Sequence, residues 1–86
     1  MPEISRFYGI IITMYYLDHP PPHFHVRYNE MRATVRLDNL SVHAGKLSGR
    51  VADLVREWAV LHQEELQDNW QRAVDRRPLV PIAPLP

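Results

Sequence analysis

A chain of 86 residues with ten Lys and Arg, ten Asp and Glu and no Cys reads as one domain with no disulfide or thiolate site to staple it. Its formal net charge of zero excludes a strongly basic nucleic-acid coat and leaves room for a local basic patch. A domain this short buries only about 60% of its unfolded surface, so a partner chain, a self-dimer or a His-bound metal is an expected source of added stability.

The opening Met1-Pro2-Glu3-Ile4-Ser5-Arg6 is not a charged signal n-region, and no apolar run is long enough to span a bilayer. The expected compartment is the cytoplasm, without membrane partners. From Phe7 to Tyr16 the chain reads Phe-Tyr-Gly-Ile-Ile-Ile-Thr-Met-Tyr-Tyr, β-branched and aromatic on both faces, which predicts one central strand covered on both sides. Asp18-His19-Pro20-Pro21-Pro22 ends it in a stiff bend, because proline cannot donate to a ladder and biases its predecessor toward extended backbone.

Two alternating strands follow. Phe24, Val26 and Tyr28 set the apolar phase of the first, and Met31, Ala33, Val35 and Leu37 that of the second. Asn29-Glu30 between them suits a two-residue turn, since Asn tolerates positive φ. That turn places Tyr28 opposite Met31, Val26 opposite Ala33 and Phe24 opposite Val35. On the other face it pairs Arg27 with Arg32, His25 with Thr34, and His23 with Arg36. After a turn at Asp38-Asn39, Leu40 to Ala44 reads as a short edge strand. Ser48 is a plausible N-cap.

Beyond it, Val51, Leu54, Val55, Trp58, Leu61, His62, Leu66, Trp70 and Ala73 recur at three- and four-residue steps, the pattern of a long amphipathic helix over roughly 49–75. Unbroken, it would be about 39 Å long at 1.5 Å per residue, more than a small sheet can cover. Either it breaks near His62-Gln63-Glu64, or its second half projects to meet another chain. Asp75-Arg76-Arg77-Pro78 stops it, and the apolar, proline-rich tail from Leu79 to Pro86 is expected to lie extended in a groove, its own or a partner's. The fold expected is α+β: a three- or four-stranded antiparallel meander with strands within 4–44, one long helix, and a tail over 78–86.

The chemistry concentrates in His19-Pro20-Pro21-Pro22-His23-Phe24-His25-Val26-Arg27-Tyr28. Alternation puts His23, His25 and Arg27 on one strand face. Three readings stand. As a metal site, His23 and His25 are two imidazole ligands for a divalent ion, with His19 or Asp18 closing the set. As a phosphodiester site, His25 and His23 serve as acid and base, Arg27 holds phosphate, Arg32 and Arg36 guide the backbone, and Tyr15 stacks on a base. As a plain polar sheet face, the same groups are simply solvated. Elsewhere Trp58 reads as core. Trp70, in the half of the helix that outruns the sheet, is a protein-interface anchor together with Leu79, Ile82 and Leu85 of the tail. Glu57, Glu64, Glu65 and Asp68 form a solvated acidic face.

The strings Ile4-Ser5-Arg6-Phe7-Tyr8-Gly9-Ile10-Ile11-Ile12, Met14-Tyr15-Tyr16, Asp18-His19 and Pro21-Pro22-His23-Phe24-His25-Val26-Arg27-Tyr28, with Glu57-Trp58-Ala59, Leu61-His62, Glu64-Glu65-Leu66, Asn69-Trp70 and Ile82-Ala83-Pro84-Leu85, resemble a small bacterial family catalogued as domain of unknown function 4160 (DUF4160). Asn29 stands where Gly is expected in many relatives. The resemblance implies a cytoplasmic bacterial protein with a protein partner, often a neighbour-encoded protein of the DUF2442 type, in what looks like a toxin–antitoxin or similar two-gene module. It supplies no catalytic residues. The leading expectation is therefore a module component that binds or cleaves RNA through the His/Arg sheet face without a cofactor. The rivals are a non-catalytic interaction protein docking through the helix end and tail, and a small His-ligated metal protein.

Overall fold

The computed structural model describes residues 2–86. Seven elements run in order: β1 (Glu3–Phe7), β2 (Ile10–Thr13), β3 (His23–Tyr28), β4 (Met31–Arg36), β5 (Val42–Gly45), α1 (Gly49–Leu61) and α2 (Gln63–Val74). The strands form one antiparallel meander in chain order. The class is the α+β expected, with five strands in place of three or four and two helices in place of one.

The extra strand comes from the first apolar run. It is not a single central strand, because the chain reverses at Tyr8 (φ 52°) and Gly9 (φ 80°). Two left-handed residues make a type I′ turn, whose twist matches that of the paired strands. The turn sets Phe7 opposite Ile10 and Ser5 opposite Ile12. The β3–β4 hairpin has all six cross-strand pairs expected from alternation, from His23 opposite Arg36 to Tyr28 opposite Met31. Asn29 takes the left-handed position, with φ 52°. Gly45 (φ 78°) ends β5 where the backbone of β4 presses closest: a Cβ there would lie 2.1 Å from the Arg32 carbonyl oxygen.

Both helices pack on the sheet face that carries Phe7, Ile10, Ile12, Phe24, Val26 and Val35. Trp58 centres this core, its ring 5.4 Å from Phe7 and 5.9 Å from Phe24. The long helical pattern breaks at His62, where φ is −127° and ψ is 28°, the first of the two outcomes considered. The molecule measures 33 × 26 × 22 Å, and the break lets α2 turn back over the sheet instead of running past it. Glu64 and Glu65 then occupy the first turn of α2, where negative charge complements the helix dipole.

This turn corrects the expected interface. Trp70, Ile82 and Leu85 are buried within the chain itself, and Leu79 packs against the same core. The tail is held by polar bonds as well: the Trp58 indole N–H donates to the Ala83 carbonyl (2.9 Å), and the Asn69 side chain bonds both the carbonyl and the N–H of Val80 (2.8 Å each). The Tyr8 hydroxyl donates to the Pro86 carbonyl. The Ile82 N–H donates to the Ile4 carbonyl (2.8 Å), so the tail also engages β1 at one point. Among the described residues no helix is long and apolar enough to cross a membrane.

Candidate functional site

Because the helices take one face of the sheet, side chains of the opposite phase are left uncovered. There, Thr13, Tyr15, His25, Arg27, Arg32 and Thr34 line a groove of about 380 Å³. Arg27 and Arg32 are direct cross-strand partners, and like charges so placed repel. Among the described residues neither guanidinium has a carboxylate within ion-pair distance. Glu3, also on the groove wall, is held by Arg6 at 2.7 Å. The pair thus presents two positive charges to solvent in a concave, partly apolar setting.

At the end of the groove stands an imidazole–carboxylate cluster organised by Asp18. One of its oxygens, Oδ2, lies 2.9 Å from His23 Nε2 and 3.0 Å from His25 Nε2. The other, Oδ1, accepts the His19 backbone N–H at 2.9 Å and lies 3.0 Å from His19 Nδ1. The Pro20–Pro22 loop carries Asp18 back over the start of β3, and the alternation of β3 aims both imidazoles the same way. Burial pushes the Asp18 carboxyl up; hydrogen bonds from His25 and the His19 N–H, with the charge and hydrogen bond of His23, outweigh it and hold the group below the usual carboxylate range.

His23 departs from expectation. It is only 4% exposed, its ring 5.3 Å from that of Trp70, and so is closed to a substrate. Its Nδ1 lies 2.7 Å from the Pro21 carbonyl oxygen. A carbonyl only accepts, so Nδ1 carries a proton. The contact of Nε2 with Asp18 is attractive when a proton or another cation lies between them. His25, its side chain 28% exposed, belongs to both the cluster and the groove, with the Tyr15 ring edge-on to it at 4.4 Å.

The structure therefore brings together His25, Arg27 and Arg32, as expected of one sheet face, adds Tyr15 from the loop after β2, and sets two predicted groups aside. His23 is buried. Arg36 is engaged by Asp38 at 2.6 Å and is not part of the groove lining. His19, its side chain 84% exposed, reaches the far oxygen of Asp18 and lies with its ring 5.7 Å from that of His23. His43 lies on β5, with β4 between it and the cluster. His62 packs on Trp58 and bonds Glu65 at 2.6 Å. Sequence reasoning named Asp18 only as an optional metal ligand and missed it as the hub of three histidines. Asn69 was missed outright, although a polar residue on an apolar helical stripe, one place before Trp70, was the available signal.

A five-stranded meander with two helices on one face, an arginine pair on the other and a His–Asp cluster at its end defines a small α+β domain with an open groove on its sheet. The chain belongs to the family described as domain of unknown function (DUF4160), whose sequence profile matches residues 9–71. That span holds the groove's His25, Arg27 and Arg32 and the whole cluster. No curated protein matches the chain, and no solved structure does.

Proposed function

We propose that this protein binds single-stranded RNA on the open face of its sheet, as one component of a toxin–antitoxin-like two-gene module. The observation that carries the reading is the Arg27–Arg32 pair: two adjacent guanidiniums with no carboxylate within ion-pair distance among the described residues, Glu3 acting on Arg27 only from farther off, in a groove that also offers an aromatic ring. Guanidinium pairs recognise phosphate through charge-assisted, often bidentate bonds. Single strands are held on open protein surfaces by such charges together with base stacking on aromatic side chains, here Tyr15. The His25 imidazole beside it can donate to or accept from a ribose 2′-hydroxyl. Metal-independent cleavage calls for two proton-transfer groups, and the expected pair is divided: His25 reaches the groove and His23 does not. Binding, rather than cleavage, is the activity the geometry favours.

The test is fluorescence anisotropy with labelled RNA oligonucleotides of mixed sequence, alongside gel analysis of the RNA afterwards. Saturable binding that disappears in the Arg27→Ala/Arg32→Ala double variant, with the RNA left intact, supports the reading. Binding unchanged by the double variant, or no binding at low salt, ends it. Preference for the DNA version of the oligonucleotide would reassign the ligand.

A protein partner has a separate place to join. With the tail bonded to β1 at Ile4, the opposite edge strand β5 is the more open, all four of its residues being exposed. An added strand would pair there. Co-expression with the neighbour-encoded protein should then slow hydrogen exchange at residues 42–45; a complex that leaves those amides unprotected refutes this placement.

A further inference from the structure

We infer that Asp18, His23 and His25 form a binding site for one divalent transition-metal ion of the zinc, nickel or cobalt type, beyond the RNA-binding reading and independent of it. The carboxylate oxygen and the two imidazole nitrogens lie within 4.8 Å of one another, and the two oxygen–nitrogen distances are 2.9 and 3.0 Å. Ligands about 2.05 Å from a tetrahedral ion stand about 3.3 Å apart. The two oxygen–nitrogen pairs would open by a few tenths of an ångström to that spacing, and the two imidazole nitrogens, within 4.8 Å of each other, would settle to it by small ring rotations.

Three further features favour a metal over an ordinary hydrogen-bonded cluster. The Pro21 carbonyl fixes the proton of His23 on Nδ1, which turns Nε2 toward Asp18 as the coordinating atom. A backbone carbonyl on the far nitrogen is the usual way in which a ligating imidazole is oriented. Both histidines project from β3, where His25 is paired with Thr13 and Thr34 and His23 with Arg36, so the ladder holds their backbones in register. His23 is almost fully buried and backed by the Trp70 ring, which excludes competing water on one side. Two nitrogens and one carboxylate oxygen suit zinc, nickel and cobalt better than magnesium or calcium, which take all-oxygen sets. The remaining coordination positions are left to water, to the exposed His19, or to a ligand in the groove that His25 also lines.

The experiment uses the full chain stripped with chelator. Zn²⁺ is titrated by calorimetry, and Co²⁺ is added separately to read its visible absorption. The expected result is about one ion per chain, a Co²⁺ spectrum characteristic of four or five nitrogen and oxygen donors, and affinity lowered about tenfold or more by Asp18→Asn or His25→Gln, with His43→Ala and His62→Ala unchanged. Both site variants are checked for an unaltered circular dichroism spectrum. The wild-type Co²⁺ spectrum stands even if one of them misfolds. Absence of stoichiometric binding in the wild type overturns the inference. So does binding that survives both site variants, or that is lost on removing His43 or His62. Because RNA binding is measured with the chelated protein, failure of either reading is seen without the other.

Discussion

Asn69 of α2 ties the C-terminal tail to the body of the molecule, and replacing it measures how much that tie contributes. Asn69 is 1% exposed, and its amide closes two hydrogen bonds on Val80, each 2.8 Å. Asn69→Ala removes both. At about 0.5–1.5 kcal/mol net for each bond, the loss is about 1–3 kcal/mol. Val80 is exposed, so water can rescue its backbone groups in part, which places the outcome near the middle of that range. In a domain of this size each kcal/mol moves the melting temperature by about 4–8 °C, so a drop of about 8–16 °C is expected for a loss of about 2 kcal/mol. Thermal melts by circular dichroism measure it. Hydrogen exchange locates it, because the Val80 and Ile82 amides should lose protection together as the tail lifts. A melting temperature within about 2 °C of wild type, with both amides still protected, would refute the reasoning and return the tail to the role of a partner-docking segment.

Three further outcomes follow from the same geometry. Arg32→Thr relieves the repulsion with Arg27 and keeps a β-branched residue in β4, so it should raise stability at low salt by about 0.2–1 kcal/mol; a denaturant midpoint that falls instead would mean Arg32 is held by an attractive contact. Asp18 has a carboxyl held below its ordinary range, so its ionised form stabilises the fold above about pH 4, the unfolded value, and that contribution disappears as the pH drops through the lower folded value. In chelated protein the penalty of Asp18→Asn should therefore be full at pH 6 and shrink toward zero in strong acid; a penalty equal at both ends would contradict the linkage. Gly45→Ala sets a methyl against the Arg32 carbonyl at 2.1 Å in a left-handed backbone, and should cost at least about 1–3 kcal/mol in urea unfolding; a neutral change would mean β5 is free to move away from β4.

Short-range pattern made some of this legible and long-range packing hid the rest. The β3–β4 register could be derived because strict alternation on both strands and a two-residue Asn29-Glu30 turn leave one pairing that buries Phe24, Val26 and Val35 together. The shared face of His25 and Arg27 follows from the same alternation. The Tyr8–Gly9 reversal was masked by an apolar run that continues across it, though Gly9 was the cue. The helix break was foreseeable only as one of two options, since the apolar period passes through His62 without interruption and the choice depends on the width of the sheet beneath. His23 follows from that choice. Its burial requires Trp70 to be folded back over it, which no local pattern around His23 records. Asp18 likewise reaches three histidines only because the path of the Pro20–Pro22 loop returns it to the head of β3.

The salt dependence of RNA binding tests the central claim most directly. Two arginine–phosphate contacts on a single strand give a slope of log K against log salt of about −1.4, at about 0.7 for each phosphate. The account predicts that slope for the wild-type protein and its collapse toward zero in Arg27→Ala/Arg32→Ala. A wild-type slope near zero, or a steep slope that the double variant retains, would contradict it.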